Sequence, residues 1–567
     1  MTNLEVNIKG GGKEILTDKD FVGKGGGGAV YHKGGMAFKI LNTMMPIGKI
    51  KELSVLNNKN IIKPENIILN KKNNPIGYTM RYINGAPIIS LFTKAFKIKK
   101  NITTKTIINL SEKMYELVDH CHSKQILMVD VNELNFLNNS NYDEIYAIDV
   151  DSYQTPSFPA TSIMETIRDR HCLNNAFTKE TDWFSWGILT FQMLIGIHPY
   201  RGNHEDFDKY SLVDRLEHRM LKNVSVFNKK TRLPKSCESF DIIPTGLRHW
   251  YEQVFEKGKR LKPPHDFTLS STTPIISRMI NSNNTFTITR EEIFSSEVLN
   301  VFVNFNNKII VFKDHCEVNK IKHEIPSSNA FFVFTPQYSM PFCVFEESGK
   351  IKIFNLRKQK FVDVDFNADA LMCYDNRIYV KNNQNVLEVL FKELNTENIH
   401  CHFKNVGNVL DLPSATKAYD GVILQNLLGK HHFAIFPVSG SCYQFNIPEL
   451  DNHKIIDAKY ENHVLVVSSY YNKYYTSIFK IDDKYQKCVL FNQNVVNYPM
   501  INFLVNDAGI GLIIPEEDKM QIFFNKIENT RLEEIKDNVI DTNMRLFHDG
   551  TIINFLRDNE IYRIKKN

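Results

Sequence analysis

A glycine-rich segment near the start of the sequence constrains this chain most. Residues 23–30 read Gly-Lys-Gly-Gly-Gly-Gly-Ala-Val, and an apolar strand-like run at 36–41 carries Lys39, nine residues after Val30. A turn that lies against a polyphosphate needs residues without side chains, because its backbone N–H groups must reach the phosphate oxygens. The lysine would add a fixed positive charge. Glycine runs also form flexible linkers, so the motifs that follow decide between the two interpretations.

Acidic and amide side chains follow the lysine in a definite order. Apolar residues at helical spacing in 47–56 carry Glu52, and Asp130 is followed five residues later by Asn135. Asp149 comes fourteen residues after Asn135, behind a strand-like run. Carboxylate and amide oxygens are the ligands that Mg²⁺ prefers, and a further carboxylate can orient an attacking hydroxyl. This order indicates a phosphotransfer site.

Five segments resemble, in order, the conserved segments of protein kinases. Residues 23–30 and Lys39 match the nucleotide loop G-x-G-x-x-G-x-V and its strand lysine. Residues 77–85 resemble the hinge, and 126–137 resemble the catalytic loop. Residues 147–153 resemble the D-F-G segment, and 178–200 resemble the F-helix with the turn after it. The first half of the chain therefore resembles the protein-kinase superfamily, in its prokaryotic and phage eukaryotic-like branch.

The resemblance implies a bilobal α+β kinase-like domain over 1–280, with a small lobe at about 1–84 and a large lobe at about 85–280. It implies ATP and Mg²⁺ as cofactors. The residues that it assigns are Gly23, Gly25, Gly28, Val30, Ala37, Met80, Tyr82 and Ile83 for the nucleotide, Lys39 paired with Glu52 for the phosphates, Asn135 and Asp149 for the metal, and Asp130 for the acceptor hydroxyl.

The resemblance also implies structural roles. Asp182 would hold the backbone of the catalytic loop, and Arg260 would pair with an acid after the activation segment, for which Glu165 is the candidate. The activation segment runs from Asp149 to Glu165 and offers four hydroxyls as phosphoacceptors, namely Thr155, Ser157, Thr161 and Ser162.

The sequence departs from the family pattern around the catalytic acid. Kinases begin this loop with His-Arg-Asp, but Met128 and Val129 precede Asp130. Without that arginine, a phosphorylated activation segment loses its usual receptor. Asn132 stands where the family's Ser/Thr kinases carry lysine, and Asp151 replaces the glycine of D-F-G. Asp151 would either stiffen the loop or add a carboxylate that faces the metal.

The complete set of polar site residues favours an active enzyme that phosphorylates a protein hydroxyl, because degenerate pseudokinases usually lack at least one of them. Two alternatives remain open. One is a nucleotide-binding pseudokinase that acts as an interaction scaffold. The other is a small-molecule kinase, to which Asn132 in place of lysine points.

From about residue 285 short alternating apolar runs replace helical periodicity. Turn pairs from 375 onward are spaced 45, 41, 46 and 42 residues apart, and two earlier pairs are 42 apart. Repeats of this length predict four-stranded blades, so we expect a six- or seven-bladed β-propeller over 285–567 that recruits a substrate or partner. A pair of β-sandwiches is the alternative. The turn pairs are 306–307, 348–349, 375–376, 420–421, 461–462, 507–508 and 549–550.

Composition bounds the remaining possibilities. A chain of 567 residues is too long to fold around a single hydrophobic core, so two domains are expected. The net charge of +5 is scattered, and the basic run 97–100 is interpreted as a solvated face rather than a nucleic-acid groove. The nine cysteines form no Cys-x-x-Cys pair, which argues against a zinc site or disulfide framework. No signal peptide or bilayer-spanning stretch is evident, so we expect a cytoplasmic protein without a membrane partner.

Overall fold

A computed structural model describes residues 4–160, 162–234, 237–265, 267, 285–304, 307–395, 398–496, 499–516, 518–528, 531–537 and 539–567. The chain divides into two compact units, Met1–Asp20 with Gly26–Met279 and Phe21–Gly25 with Ile280–Asn567. The described residues are mostly β, with a small helical part in the N-terminal region and a large all-β C-terminal region. Among them, no helix has both the length and the apolar character needed to cross a bilayer.

The N-terminal region begins with a seven-stranded sheet in the order β2-β1-β6-β7-β5-β4-β3. Strand β5 coincides with the strand predicted around Lys39, and the Gly34-Gly35 turn before it has both residues at positive φ, as a two-residue hairpin requires. The strands are β1 (Leu4–Ile8), β2 (Lys13–Leu16), β3 (Phe21–Gly25), β4 (Gly28–Lys33), β5 (Met36–Leu41), β6 (Asn66–Leu69) and β7 (Pro75–Arg81).

Within the described residues, the N-terminal region also contains a three-stranded sheet and six α-helices, the first of which lies between β5 and β6. The sheet has the order β10-β9-β8, with β8 (Ala86–Pro87), β9 (Phe136–Asn138) and β10 (Ile145–Ala147). The helices are α1 (Ile47–Leu53), α2 (Lys94–Lys99), α3 (Thr104–Ser123), α4 (Lys179–Ile195), α5 (Leu212–Leu221) and α6 (Thr245–Tyr251), with a π-helical turn at Glu252–Glu256. Short 3-10 turns lie at Asp18–Asp20, Ile88–Phe92, Val150–Ser152, Leu173–Asn175, Glu205–Phe207 and Phe240–Ile242.

Helix α4 is the central element of the helical part, because every residue from Thr181 to Ile195 is buried. A capping box at its N-terminus and Gly196 at φ 85° fix its two ends. The buried Lys97 donates from Nζ to the carbonyl oxygens of Met193 (3.1 Å) and Leu194 (3.4 Å) at the C-terminus of this helix. The interpretation of 97–100 as a solvated face is therefore wrong at Lys97, because its positive charge stabilises the C-terminus of a helix.

The all-β region contains seven four-stranded antiparallel sheets among the described residues. Six of them are built from four consecutive strands each, and the seventh has the order β11-β38-β37-β36. The strands are β11 (Phe286–Ile293), β12 (Asn300–Asn304), β13 (Asn307–Val311), β14 (His315–Val318), β15 (Ile321–Glu324), β16 (Phe331–Phe334), β17 (Pro341–Glu347), β18 (Lys350–Asn355), β19 (Lys360–Phe361), β20 (Ala370–Tyr374), β21 (Arg377–Asn382), β22 (Asn385–Glu393), β23 (Ile399–Asn408), β24 (Thr416–Tyr419), β25 (Val422–Leu427), β26 (Lys430–Ile435), β27 (Tyr443–Asn446), β28 (Lys454–Glu461), β29 (Val464–Tyr471), β30 (Lys473–Ile481), β31 (Cys488–Val496), β32 (Phe503–Val505), β33 (Ile510–Glu516), β34 (Lys519–Phe524), β35 (Leu532–Lys536), β36 (Arg545–Asp549), β37 (Ile552–Arg557) and β38 (Glu560–Lys566), with a 3-10 turn at Pro448–Leu450.

The turn pairs used to measure the repeat do not all occupy the same place in a sheet. Those at 375–376, 420–421 and the later positions follow β20, β24, β28, β32 and β36, each of which is the edge strand of its sheet, as the regular spacing requires. The pair 348–349 instead lies between β17 and β18, the second and third strands. Position 306 lies outside the described residues. The 42-residue interval from 306 to 348 is therefore not the structural repeat.

Candidate active site

The glycine-rich turn lies beside the strand lysine. It connects β3 to β4, and in β4 a Cβ on Gly28 would lie 2.1 Å from the carbonyl oxygen of Ile40. Only glycine permits that approach of the two strands. A Cβ on Gly27 would lie 3.9 Å from Nζ of Lys39. The backbone of the turn is thus next to the ammonium group that the sequence assigned to phosphate binding.

Three of the other predicted nucleotide residues, Val30, Ala37 and Met80, lie on strands around Lys39. In the antiparallel register Val30 is opposite Lys39, and Ala37 is opposite Met80. Tyr82 follows strand β7, and its ring stacks on His32 with a centroid separation of 3.6 Å. The remaining members of the set are Gly23 and Gly25 on β3 and Ile83 directly after Tyr82.

Lys39 is paired with two aspartates. Its side chain is only 7 % exposed, and Nζ donates to Oδ1 of Asp149 and, at 2.7 Å, to Oδ1 of Asp151. The buried hydroxyl of Tyr78 donates to the same Asp151 oxygen at 2.6 Å. Burial alone would lower the pKa of Lys39, but Asp149, Tyr78 and Asp151 raise it well above its ordinary value. The lysine is therefore charged at the pH of the cell.

The predicted ion pair between Lys39 and Glu52 is not formed. Glu52 lies on α1 as expected, but its Oε2 accepts the backbone N–H of Ser157 at 3.2 Å. The helix ends at Leu53, before the predicted end of its apolar pattern, and it packs on the activation segment. A Cβ on Gly48 would lie 2.9 Å from the ring of Phe158. This packing directs the Glu52 carboxylate to the segment rather than to the lysine.

Hydrogen bonds connect the chain segments that carry the predicted catalytic acid and the two predicted metal ligands. The amide nitrogen of Asn135 donates to the carbonyl oxygen of Asp130 (3.0 Å) and to its Oδ2 (3.3 Å). Oδ1 of Asp130 accepts the N–H of Met164 at 2.8 Å, and burial raises the pKa of Asp130. The N–H of Ile148, directly before Asp149, donates to the carbonyl oxygen of Asn135 at 2.9 Å.

Asp182 holds the backbone of the loop that carries Asp130. Its Oδ2 accepts the N–H of Met128 at 2.8 Å, and its Oδ1 accepts the N–H of Val129 at 2.9 Å. The ring nitrogen Nε2 of His122 lies 2.9 Å from Oδ2. Val129 has φ 61°, an unfavourable conformation for a β-branched residue that these bonds stabilise. The structural role predicted for Asp182 is confirmed.

Asn132 has a role that the sequence did not reveal. It is 2 % exposed, and its Oδ1 accepts the N–H groups of Leu134 (2.8 Å) and Asn135 (3.1 Å). Asn132, at the position where the resemblance would place a lysine, thus shapes the loop. The signal in the sequence was the tendency of asparagine to bond the backbone two or three residues ahead.

Arg260 pairs with Asp169 and not with the predicted Glu165. Asp169 is 4 % exposed and the Arg260 side chain is 18 % exposed, whereas the exposed Glu165 pairs with Arg168 and Arg170. Among the predicted phosphoacceptors, Thr155 is buried and Thr161 lies outside the described residues.

The side-chain oxygens of Asn135 and Asp149 are of the kind that a hard cation binds. Because Asp130 accepts from the amide nitrogen of Asn135, the amide oxygen is the atom left to face a metal. The Asp149 side chain is 42 % exposed. No group of three or more His, Cys, Asp or Glu side chains within the described residues is arranged to hold a metal. One carboxylate and one amide still suit Mg²⁺, which usually keeps waters and substrate phosphates as its other ligands.

Sequence comparisons relate part of the chain to protein kinases at low identity. It is 27 % identical over 152 residues to "Serine/threonine-protein kinase 1" of Heliothis zea nuclear polyhedrosis virus, which covers 26 % of this chain and 54 % of the viral protein. It is 29 % identical over 132 residues to "Protein kinase C-like 2" of Schizosaccharomyces pombe, covering 21 % of this chain and 12 % of the yeast protein. No protein-family profile matches. The chain thus spans about half of the viral relative and about an eighth of the yeast one, and the likeness supports a kinase-like enzyme at this coarse level.

Proposed function

We propose that the N-terminal region is a bilobal protein-kinase-like domain that transfers the γ-phosphoryl group of ATP to a protein hydroxyl, with Mg²⁺ as cofactor. One observation carries the proposal. Lys39, Asp130, Asn135 and Asp149 are brought together by hydrogen bonds. Lys39 bonds Asp149, and Asn135 bonds Asp130. The N–H of Ile148, next to Asp149, links the two pairs by donating to the carbonyl oxygen of Asn135. Lys39 is buried and pairs with two acids, Asp149 and Asp151, and charged groups perturbed in this way cluster at functional sites.

Each side chain would have a distinct task. Lys39 would bind phosphate oxygens below the glycine-rich turn, and Ala37 and Met80 would line the adenine site. Asp130 would orient the acceptor hydroxyl and take its proton, a task that its raised pKa favours. Asn135 and Asp149 would hold Mg²⁺, which when bound would neutralise charge on the phosphates. Catalysis would then depend on positioning and electrostatic stabilisation.

We infer that the second unit is a seven-bladed β-propeller that recruits the substrate or a partner. Seven consecutive four-stranded antiparallel sheets support this interpretation over a pair of sandwiches. The first strand of each sheet contacts that of the next from β20 to β36, and β36 also contacts β12 of the first sheet.

The pairing of the first and last strands supports a ring in particular. Strand β11 pairs with β38 along most of its length, so residues from both ends of the unit share one sheet. Val301 and Ile310 of the first sheet pack in one core cluster with Leu556 and Ile561 of the last. Such a core between the first and last sheets is expected of a closed propeller and not of two separate sandwiches.

A nucleotide-binding scaffold is the second candidate, and the position of Glu52 favours it. Active kinases hold the strand lysine with a carboxylate from the C-helix, and here that carboxylate bonds Ser157 instead. A small-molecule kinase is the third candidate. Asn132, the residue that pointed to it, is buried and therefore does not contact a substrate.

The proposal is tested with the full chain, γ-³²P-labelled ATP and Mg²⁺, by measuring labelling of the chain, of generic protein substrates and of a cell lysate. Transfer that Asp149→Ala and Asp130→Asn both abolish supports the protein kinase. Asp143→Asn is the matched control, because Asp143 is an exposed acid in the turn before β10 whose carboxylate and backbone N–H both bond the Asn139 side chain. It should label as the wild type does.

Two other results would overturn the proposal. One is ATP binding, measured by fluorescence of a labelled nucleotide, without any phosphate transfer. This result would favour the nucleotide-binding scaffold. Consumption of ATP with a metabolite but no labelled protein would identify a small-molecule kinase.

A further inference from the structure

The strand lysine of a kinase-like site must be held in one orientation, because its charge acts on a phosphate at a fixed position. Glu52, the residue expected to hold it, bonds the backbone of Ser157. Asp149 bonds Lys39 but is also the predicted metal ligand and the more exposed of the two aspartates, at 42 %. The remaining partner is Asp151, which is 14 % exposed.

The carboxylate of Asp151 is fixed by two donors. Its Oδ1 accepts Nζ of Lys39 at 2.7 Å and the hydroxyl of Tyr78 at 2.6 Å. Tyr78 is 1 % exposed and lies directly opposite Lys39 in the register of β5 and β7. Both donors therefore come from adjacent positions of one sheet, so the acid and the lysine have little freedom to move relative to each other.

The backbone of Asp151 is tied to helix α1. The carbonyl oxygen of Asp151 accepts Nζ of Lys49 at 2.7 Å, and Lys49 is 7 % exposed. Lys49 lies on the same helix as Glu52. Residue 151 thus bonds the strand lysine through its side chain and the helix through its carbonyl group.

We propose that Asp151 is the positioning residue for Lys39, in place of the helix glutamate, and that it couples helix α1 to the lysine through its backbone. The inference rests on the proposed function of the N-terminal region. The D-x-D sequence at 149–151 then divides two tasks. Asp149 would bind the metal, and Asp151 would hold Lys39 in position.

The kinetic test compares Asp151→Asn, Asp151→Glu and Glu52→Gln in the full chain. Asp151→Asn keeps the size of the side chain but removes its charge. We expect kcat to fall about 100-fold, because a displaced catalytic group lowers the rate by about that much. The KM for ATP should change less than about threefold. Asp151→Glu restores a carboxylate and should recover part of kcat. Glu52→Gln should stay within about twofold of the wild type.

A magnesium titration separates positioning from metal binding. If Asp151 were a metal ligand, excess Mg²⁺ would restore the activity of Asp151→Asn, and the proposal would be overturned. A fall in kcat for Glu52→Gln equal to that for Asp151→Asn would overturn it as well.

A double-mutant cycle tests the pair without relying on enzyme activity. The melting temperature of the N-terminal region is measured for Lys39→Met, Asp151→Asn and the double variant, and then for the same cycle with Glu52→Gln. We expect a non-additive shift for Lys39 with Asp151 and an additive one for Lys39 with Glu52. If Asp151→Asn does not fold, Tyr78→Phe and Asp151→Glu replace it in the cycle.

The cycle also distinguishes the two proposals. Coupling between Lys39 and Asp151 in a protein that transfers no phosphate would refute the proposed function and retain the pairing. Additivity in an active enzyme would refute the positioning role alone.

Discussion

Arg260 and Asp169 form a bidentate ion pair across 91 residues of sequence. Nε of Arg260 donates to Oδ2 at 2.6 Å, and Nη2 donates to Oδ1 at 2.7 Å. Two parallel bonds match the planar guanidinium group to the planar carboxylate. The guanidinium group also lies over the Phe184 ring, 4.4 Å from its centroid. The pair therefore joins the segment after the activation loop to helix α4.

Removing one partner of this pair should destabilise the N-terminal region strongly. Asp169→Ala leaves a largely buried guanidinium group without its acceptor, and we expect the free energy of unfolding to fall by about 3–5 kcal/mol in chemical denaturation. Glu165→Gln is the control, because Glu165 is 49 % exposed and its ion pairs should contribute less than about 1 kcal/mol. Equal effects of the two substitutions would contradict the assignment of Asp169.

Gly28 should tolerate no side chain. A Cβ at this position would meet the carbonyl oxygen of Ile40 at 2.1 Å, so Gly28→Ala must push β4 away from β5. We expect a loss of about 1–3 kcal/mol in stability, together with weaker nucleotide binding. Gly26→Ala is matched to it, since no atom lies within 4 Å of the added carbon, and its stability should change by no more than about 0.5 kcal/mol. Similar losses for both variants would show that the strands are not this close.

His198 should make the N-terminal region sensitive to acid. The ring is buried, with Nε2 2.9 Å from the carbonyl oxygen of Thr166 and Nδ1 accepting the N–H of Tyr200, and burial lowers the pKa of His198 to about 3. The unfolded chain binds the proton near pH 6.5, so this contribution to stability is complete above that pH. It is lost as the pH falls toward 3.

The expected slope is about 1.4 kcal/mol for each pH unit below 6.5. The measurement is the free energy of unfolding of the wild type and of His198→Gln between pH 7.5 and about pH 5. The difference between the two should shrink as the pH falls. A difference independent of pH would mean that the pKa of the ring is the same in the folded and the unfolded states.

Ile561 should be essential to the second unit. It is 2 % exposed, in the core between the first and last sheets, and Ile561→Ala should cost about 2–5 kcal/mol in the unfolding transition of that unit. Ile552→Ala, at a position 36 % exposed in the adjacent strand, should change it by about 0.5 kcal/mol or less. A small effect at Ile561 would argue against packing between those two sheets and hence against a closed propeller.

The local sequence pattern was sufficient to predict those elements whose structure depends on residues close in sequence. Strand β5 follows from its apolar run, and the Gly34-Gly35 turn follows from turn chemistry over two residues. The role of Asp182 was also predictable, because the spacing of a family motif carries its geometry. The regular interval of the turns after 375 likewise indicates repeated sheets, because each turn follows the first strand of one repeat.

By itself, the sequence determined which residue types and which local elements this protein has, and it supplied a lysine, several acids and an amide in the order that the proposed function would use. Tertiary structure alone decided the partners: Asp149 and Asp151 rather than Glu52 for Lys39, Asp169 rather than Glu165 for Arg260, and a helix terminus rather than solvent for Lys97. The reason is physical. Carboxylates are chemically equivalent in sequence, and only the packing of segments about 100 residues apart selects which one lies within hydrogen-bond distance of a buried cation.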